Sequence, residues 1–138
     1  MAVLRRAVDL GVQFIDTADS YGPHTSEELI REALHPYTDV LIATKGGLTR
    51  QGPDQWESVD RAPYLRQCVE MSLRRLGVDR IDLWQLHRID PRTPREEQFG
   101  EIAAMQKEGL IRHVGLSEVS VDDVVEAQGY FDGVTGQN

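Results

Sequence analysis

The stretch GVQFIDTADSYG, residues 11–22, holds the junction on which the fold turns. A helix closes at Gly11 and an apolar strand, Val12 to Thr17, starts at once. Phe14 and Ile15 are consecutive apolar residues, the pattern of a strand covered on both faces rather than one. Yet that strand ends on the carboxylate of Asp16, followed by a second acid at Asp19 and a phenol at Tyr21 just before Gly22. Polar groups gathered at the end of a buried strand mark that end for attention.

Working outward, the same alternation repeats. Upstream, MAVLRRAVDLG places Val3, Leu4, Ala7, Val8 and Leu10 on one helical face. Downstream, TSEELIREALHPY predicts a helix capped by Thr25 or Ser26, with acids in its first turn and a stop before Pro36. VLIATK is an apolar run of strand length ending in Lys45. Residues 46 to about 61, rich in Gly, Pro and charge, read as a loop. Pro63 opens a long helix that Gly77 ends, with Leu65, Cys68, Val69, Met71, Leu73 and Leu76 largely on one side. RIDLWQLH is the next strand, EEQFGEIAAMQKEGL a helix stopped at Gly109, and RHVGLS another strand. A short helix from Val121 to about Gln128 precedes FDGVTGQN, residues 131–138, which reads as the start of one more strand.

Five strands alternating with five helices predict a parallel sheet covered by helices. Two architectures fit, an open doubly wound sheet or part of a (β/α)₈ barrel. The series opens inside an uncapped helix at Met1 and stops on a strand at Asn138, whereas a full barrel takes about 250 residues. The expectation is therefore a partial barrel of about five parallel strands with helices outside.

Composition narrows the function classes. Apolar residues make up 40% and charged ones 28% of 138 residues, in the range of ordinary globular chains. No apolar run reaches about 18 residues, and Arg5, Arg6 and Asp9 interrupt any signal-peptide core. Lys and Arg number 15 against 23 Asp and Glu, a net charge of −8, and no basic stripe is visible for nucleic acid. A phosphorylated small ligand, needing only a few local cations or helix N-termini, stays compatible. The single cysteine, Cys68, leaves neither an internal disulfide nor a cysteine-based metal framework, and no metal site is expected. The expected compartment is the cytoplasm, with no membrane partner; oligomeric state is open.

In a parallel βα architecture ligands sit at the C-terminal ends of the strands. Collected there are Asp16 and Tyr21, Lys45, His87, Ser117 and, from the last strand, Gln137. Singly, each has a structural explanation: Asp16 as a turn cap, Tyr21 as a loop aromatic, Lys45 as a snorkelling strand end, His87 as a satisfied core histidine. An acid, a phenol, an amine and an imidazole on one rim are harder to explain that way.

These segments, GVQFIDTADSYG, LIATKGG, DLWQLHR and HVGLSEVS, resemble the aldo-keto reductases, in order along nearly the whole chain. YGPHTSEELIREALHPY and GLTRQGPDQW resemble bacterial-type members acting on small aldehydes. The resemblance implies a single partial barrel over residues 1–138, the second to sixth strands of the family fold, without its first strand and its last strands. It implies NADPH-dependent reduction of a small aldehyde or ketone, with a catalytic tetrad on Asp16, Tyr21, Lys45 and His87. Tyr21 would be the general acid; a phenol is a weak acid near neutrality, and an adjacent ammonium favours its ionised form. Asp16 would hold Lys45, and His87 would orient the carbonyl oxygen. Ser117 and Gln137 would bind the cofactor's nicotinamide carboxamide, and Trp56 would form part of the substrate wall. The family commonly has Asn after that Ser, where this chain has Glu118, which as a carboxylate only accepts hydrogen bonds. Arg88 and Asp90 are expected to pair. The activity is expected of the complete protein, with little from these 138 residues alone. The alternatives are a truncated, non-catalytic fragment or a cofactor-sensing subunit of the same fold.

Overall fold

In the computed structural model, residues 1–22, 24–131 and 133–137 are described. Helix α1 (Ala2–Asp9) leads into β1 (Phe14–Asp16), then α2 (Thr25–Leu34) and β2 (Leu41–Gly46). A hairpin of β3 (Leu48–Gly52) and β4 (Gln55–Ser58) follows, before α3 (Ala62–Leu76) and β5 (Ile81–Leu86). Helix α4 (Arg95–Lys107), β6 (Ile111–Ser117), α5 (Val121–Ala127) and β7 (Val134–Gln137) complete the series. The sheet runs β1-β2-β5-β6-β7 with every neighbouring pair parallel. The strands curl into a half-barrel with the helices outside, which settles between the two architectures that the alternation left open in favour of the expected partial barrel.

Strand periodicity sorts the side chains. Ile15, Ile42, Trp84, Leu86, Val114, Leu116 and Val134 pack into the layer between sheet and helices. There they meet Leu65 and Val69 of α3, Phe99, Ile102 and Met105 of α4, and Ile30 of α2. Burying a large apolar side chain is worth about 1.5–3 kcal/mol, so this layer fixes which face of each strand turns outward. The alternate residues then face the concave side. In register across the sheet these are Lys45, Gln85, Gly115 and Thr135. One step further toward the strand ends, Ser117 lies beside Gln137.

Helix boundaries follow local chemistry, with one correction. Neither Thr25 nor Ser26 caps α2; His24 occupies the cap position without a side-chain cap bond. The two hydroxyls are used otherwise, Thr25 Oγ1 donating to the Gly22 carbonyl at 3.0 Å and Ser26 Oγ bonding Thr17 Oγ1 at 2.7 Å. They anchor the loop after β1 instead. Helix α3 starts with Pro63 in its first turn and ends at Gly77, whose φ of 72° lies in the left-handed region. A β-carbon there would come within 2.7 Å of the Arg31 side chain.

The stretch from residue 46 to 61, expected to be a loop, carries the antiparallel hairpin β3–β4. Its strands pair Leu48 with Ser58 and Arg50 with Trp56 around a turn at Pro53 and Asp54. Two short, charged, mostly half-exposed strands give no apolar alternation to read, which is why composition pointed to a loop. Of the predicted strand at 131–138, β7 covers Val134–Gln137; Asp132 and Asn138 lie outside the described residues. Among the described residues no helix is long and apolar enough to cross a membrane.

Candidate active site

Asp16, Lys45, Gln85 and Gln137 meet on the concave face near the C-terminal ends of their strands. Lys45 is 3% exposed, and its Nζ donates to Asp16 Oδ2 at 2.8 Å and to the Thr17 carbonyl at 3.0 Å. An ammonium has three donors, so one N–H remains beyond these two bonds. The Asp16 carboxylate also accepts from Gln85 Nε2 at 2.9 Å on Oδ1 and from Gln137 Nε2 at 3.1 Å on Oδ2.

The loop after β1 returns over β2. The Asp19 amide donates to the Lys45 carbonyl at 3.0 Å, and the Tyr21 amide to the Ala18 carbonyl at 3.3 Å. This turn sets the Tyr21 ring with its centroid 5.3 Å from Lys45 Nζ. The same ring stands edge-on to His87, centroids 5.9 Å apart. On its other side His87 meets Trp56 of β4 at 6.4 Å, and the Arg50 guanidinium lies 4.8 Å over that indole. The structure thus brings the four predicted tetrad residues and Trp56 to one place, from three strands, a loop and the hairpin.

His87 follows β5, tied by its amide to the Gly46 carbonyl at 2.8 Å. Burial pushes its imidazole down to about 4, and the charges of Lys45 and Arg88 act in the same direction against a smaller opposing effect of Asp16. It is therefore neutral near pH 7, with a buried Nδ1 that has no hydrogen-bond partner among the described residues. A neutral imidazole carries one donor and one acceptor, the equipment for binding a carbonyl oxygen without adding a charge. Two acids nearby behave in the opposite way. Burial, with the charge of Glu27, raises Asp19 to about 7. Burial, with the charge of Asp90, raises Asp60 to about 8.

At the ends of β6 and β7, Ser117 Oγ receives Arg88 Nη1 at 3.4 Å. Accepting that bond leaves the hydroxyl proton free to donate. Ser117 and Gln137 are register partners, so a hydroxyl and a carboxamide stand side by side. That pair fits a nicotinamide carboxamide, which needs both a donor and an acceptor. Glu118 takes a left-handed φ of 55° and its amide donates to the Gln137 carbonyl at 2.6 Å. Its exposed side chain adds nothing to the donor set.

The expected Arg88–Asp90 pair does not form. Asp90 is satisfied within its own turn by the Arg92 amide at 2.9 Å, Arg92 Nε at 3.3 Å and Thr93 Oγ1 at 2.9 Å. Arg88 turns to the His87 carbonyl at 2.8 Å and to Ser117. Short-range donors reach a turn aspartate first. Sequence reasoning also missed Gln85. Spacing of two puts it on the face of His87, but only the register of β2 and β5 sets it beside Lys45.

Comparison with known proteins fits this arrangement. The model of the Aldo/keto reductase family matches residues 1–138. The chain belongs to the aldo/keto reductase family. The chain is 64% identical over its whole length to an uncharacterized oxidoreductase of Schizosaccharomyces pombe, covering 45% of that protein. It is 40% identical to pyridoxine 4-dehydrogenase of Escherichia coli, covering 51% of it. Among solved structures, the glycerol dehydrogenase of Gluconobacter oxydans superposes with a TM-score of 0.87 at 34% identity, over 96% of this chain and 44% of that one. An aldo-keto reductase of Bacillus halodurans in its holo form gives 0.85 at 30% identity, over 99% and 47%. The aldo/keto reductase chain thus spans about half the length of the relatives it matches, and these neighbours share its half-barrel.

Proposed function

We propose that the complete protein reduces a small aldehyde or ketone to the alcohol using NADPH, with Tyr21 as general acid. The observation that carries this reading is the anchoring of Lys45 by Asp16 and the Thr17 carbonyl beside the Tyr21 ring and a neutral His87. A bound nicotinamide cofactor supplies hydride to the carbonyl carbon. The residues of this chain would bind and orient the carbonyl and move its proton.

His87 binds the carbonyl oxygen, and being neutral it orients that oxygen without competing for the proton. Tyr21 gives its phenolic proton to the same oxygen as negative charge develops there. Lys45, with its remaining N–H, stabilises the phenolate left behind, and Asp16 keeps the ammonium from swinging away. In the direction of oxidation the same groups act in reverse, consistent with relatives named as dehydrogenases of pyridoxine and glycerol. Ser117 and Gln137 would hold the nicotinamide carboxamide. Trp56, edge-on to His87, walls the substrate side and favours small carbonyl compounds with an apolar surface.

Tyr21→Phe in the complete reading frame tests this. Turnover should fall by about 10²–10⁴-fold, the usual contribution of a general acid, with cofactor affinity by fluorescence titration nearly unchanged. Unaltered turnover would sink the assignment.

A further inference from the structure

Only one oxygen of Asp16 meets Lys45. The other, Oδ1, accepts from Gln85 Nε2 at 2.9 Å. Gln85 is 4% exposed and lies directly beside Lys45 in the register of β2 and β5. The second carboxamide on Asp16, Gln137, is exposed, so it is free to leave for a ligand; Gln85 is enclosed. Its register partner on β6 is Gly115. A β-carbon at Gly115 would come within 2.9 Å of Gln85 Cγ and 2.5 Å of Thr135 Oγ1. The absent side chain leaves room for the Gln85 stem on the β6 side of its strand.

We infer that Gln85 is a positioning residue of the reduction site, whose amide N–H fixes the Asp16 carboxylate with Oδ2 turned to Lys45. The inference rests on the proposed roles of Asp16, Lys45, Tyr21 and His87. A carboxylate held by one oxygen rotates about its Cβ–Cγ bond, leaving the Thr17 carbonyl as the fixed partner of Lys45. Held at both oxygens, it becomes a rigid platform for the ammonium, and so for the phenol. Asp16 is partly exposed, at 27% of its side chain. Water therefore solvates a freed oxygen but does not hold its orientation. The group at position 85 has to be a donor and has to be neutral. A cation there would compete with Lys45 for Asp16, and an ionised acid has no proton to give.

The test uses the full-length reductase with Gln85→Leu, Gln85→Glu and Tyr21→Phe assayed in parallel across pH. Gln85→Leu should lower kcat about 10- to 100-fold, the scale of a lost charge-assisted hydrogen bond and a misplaced catalytic group. KM for the cofactor should stay essentially unchanged. Gln85→Glu provides the discriminating readout. Among the described residues, the titratable groups around position 85 are Asp16 from β1, Lys45 from β2 and His87 two residues on along the same face, while its register partner on β6 is Gly115. A protonated glutamic acid donates the same bond to Asp16, and ionisation removes that donor and adds a like charge. The ratio of Gln85→Glu to wild-type kcat should therefore rise toward one as pH falls and decline as pH rises, whereas Gln85→Leu stays low throughout. A packing role would give no such pH-dependent recovery. The inference is overturned if Gln85→Leu turns over within twofold of wild type, or if Gln85→Glu shows no recovery at low pH. Should Gln85→Leu fail to fold, the pH dependence of Gln85→Glu decides alone. Retained turnover in Tyr21→Phe would instead overturn the underlying reading of the site.

Discussion

His87 shows how far burial alone sets chemistry at a single residue. Its imidazole loses hydration at the strand end, and two neighbouring cations, Lys45 and Arg88, add to the effect. A titration of the full-length protein followed by NMR should therefore place His87 near 4, with no protonation step of this residue near 6.5. Because burial is the largest cause, Arg88→Met should move the midpoint upward only part of the way toward 6.5. A wild-type midpoint at 6.5 would mean that the ring is hydrated and the strand end open. At the same scale, Asp16, Tyr21, Lys45 and His87 were legible as residue types in suggestive positions. Gln85 was not, because a glutamine in a strand looks like any half-buried polar residue until its partner across the sheet is known.

Between elements, the decisive device is a buried carboxylate outside the active site. Glu27 of α2 is fully buried, and its Oε1 accepts from Thr44 of β2 and from Ser72 of α3 at 2.5 and 2.7 Å. Its Oε2 pairs with Arg75 of α3 at 2.6 Å. One side chain thus joins two helices to the strand that carries Lys45 on its opposite face. Removing it leaves a largely buried guanidinium and two hydroxyls without their acceptor. Glu27→Ala should destabilise the fold by about 3–5 kcal/mol, measured by urea unfolding. The double replacement Glu27→Leu with Arg75→Met should recover much of that loss, since neither charge is then left unpaired. The acids of the first turn of α2 were readable as favourable to its dipole. That one of them turns inward was not, because its partners lie 17, 45 and 48 residues away. The hairpin β3–β4 escaped for a related reason: its strands pair with each other and bury little, so no periodicity marks them.

For the whole molecule, these titrations combine into a pH dependence of stability. Asp19 and Asp60 rise from 3.8 to about 7 and about 8 on folding. The native state binds protons there more tightly than the unfolded chain does, so their contribution is lost as pH rises above 3.8 toward 7–8. His87, lowered from 6.5 to about 4, acts oppositely, its contribution being lost as pH falls through that interval. The two effects oppose each other between about pH 4 and 6.5, and above 6.5 only the carboxyls remain. The urea midpoint should therefore fall between pH 6.5 and 8. Replacing Asp19 and Asp60 together by Asn should flatten that fall, and an unchanged slope would refute the assignment.

By itself the sequence determined the βα class of the fold and which polar residues stand at its strand ends, while reading four of them as a tetrad came from the resemblance to the aldo-keto reductases. The class and the placement depend on short-range patterns: strands apolar on both faces, helices with one apolar side, and polar residues set at strand ends. The rule that parallel strands present ligand groups at one rim then follows from topology. Only the tertiary structure decided which partners each polar group takes. Arg88 turned to Ser117 rather than Asp90, Glu27 turned inward, and Gln85 joined Asp16 across the sheet. Each choice is a competition among donors and acceptors brought together by strand register and curvature, over sequence separations that no local pattern records.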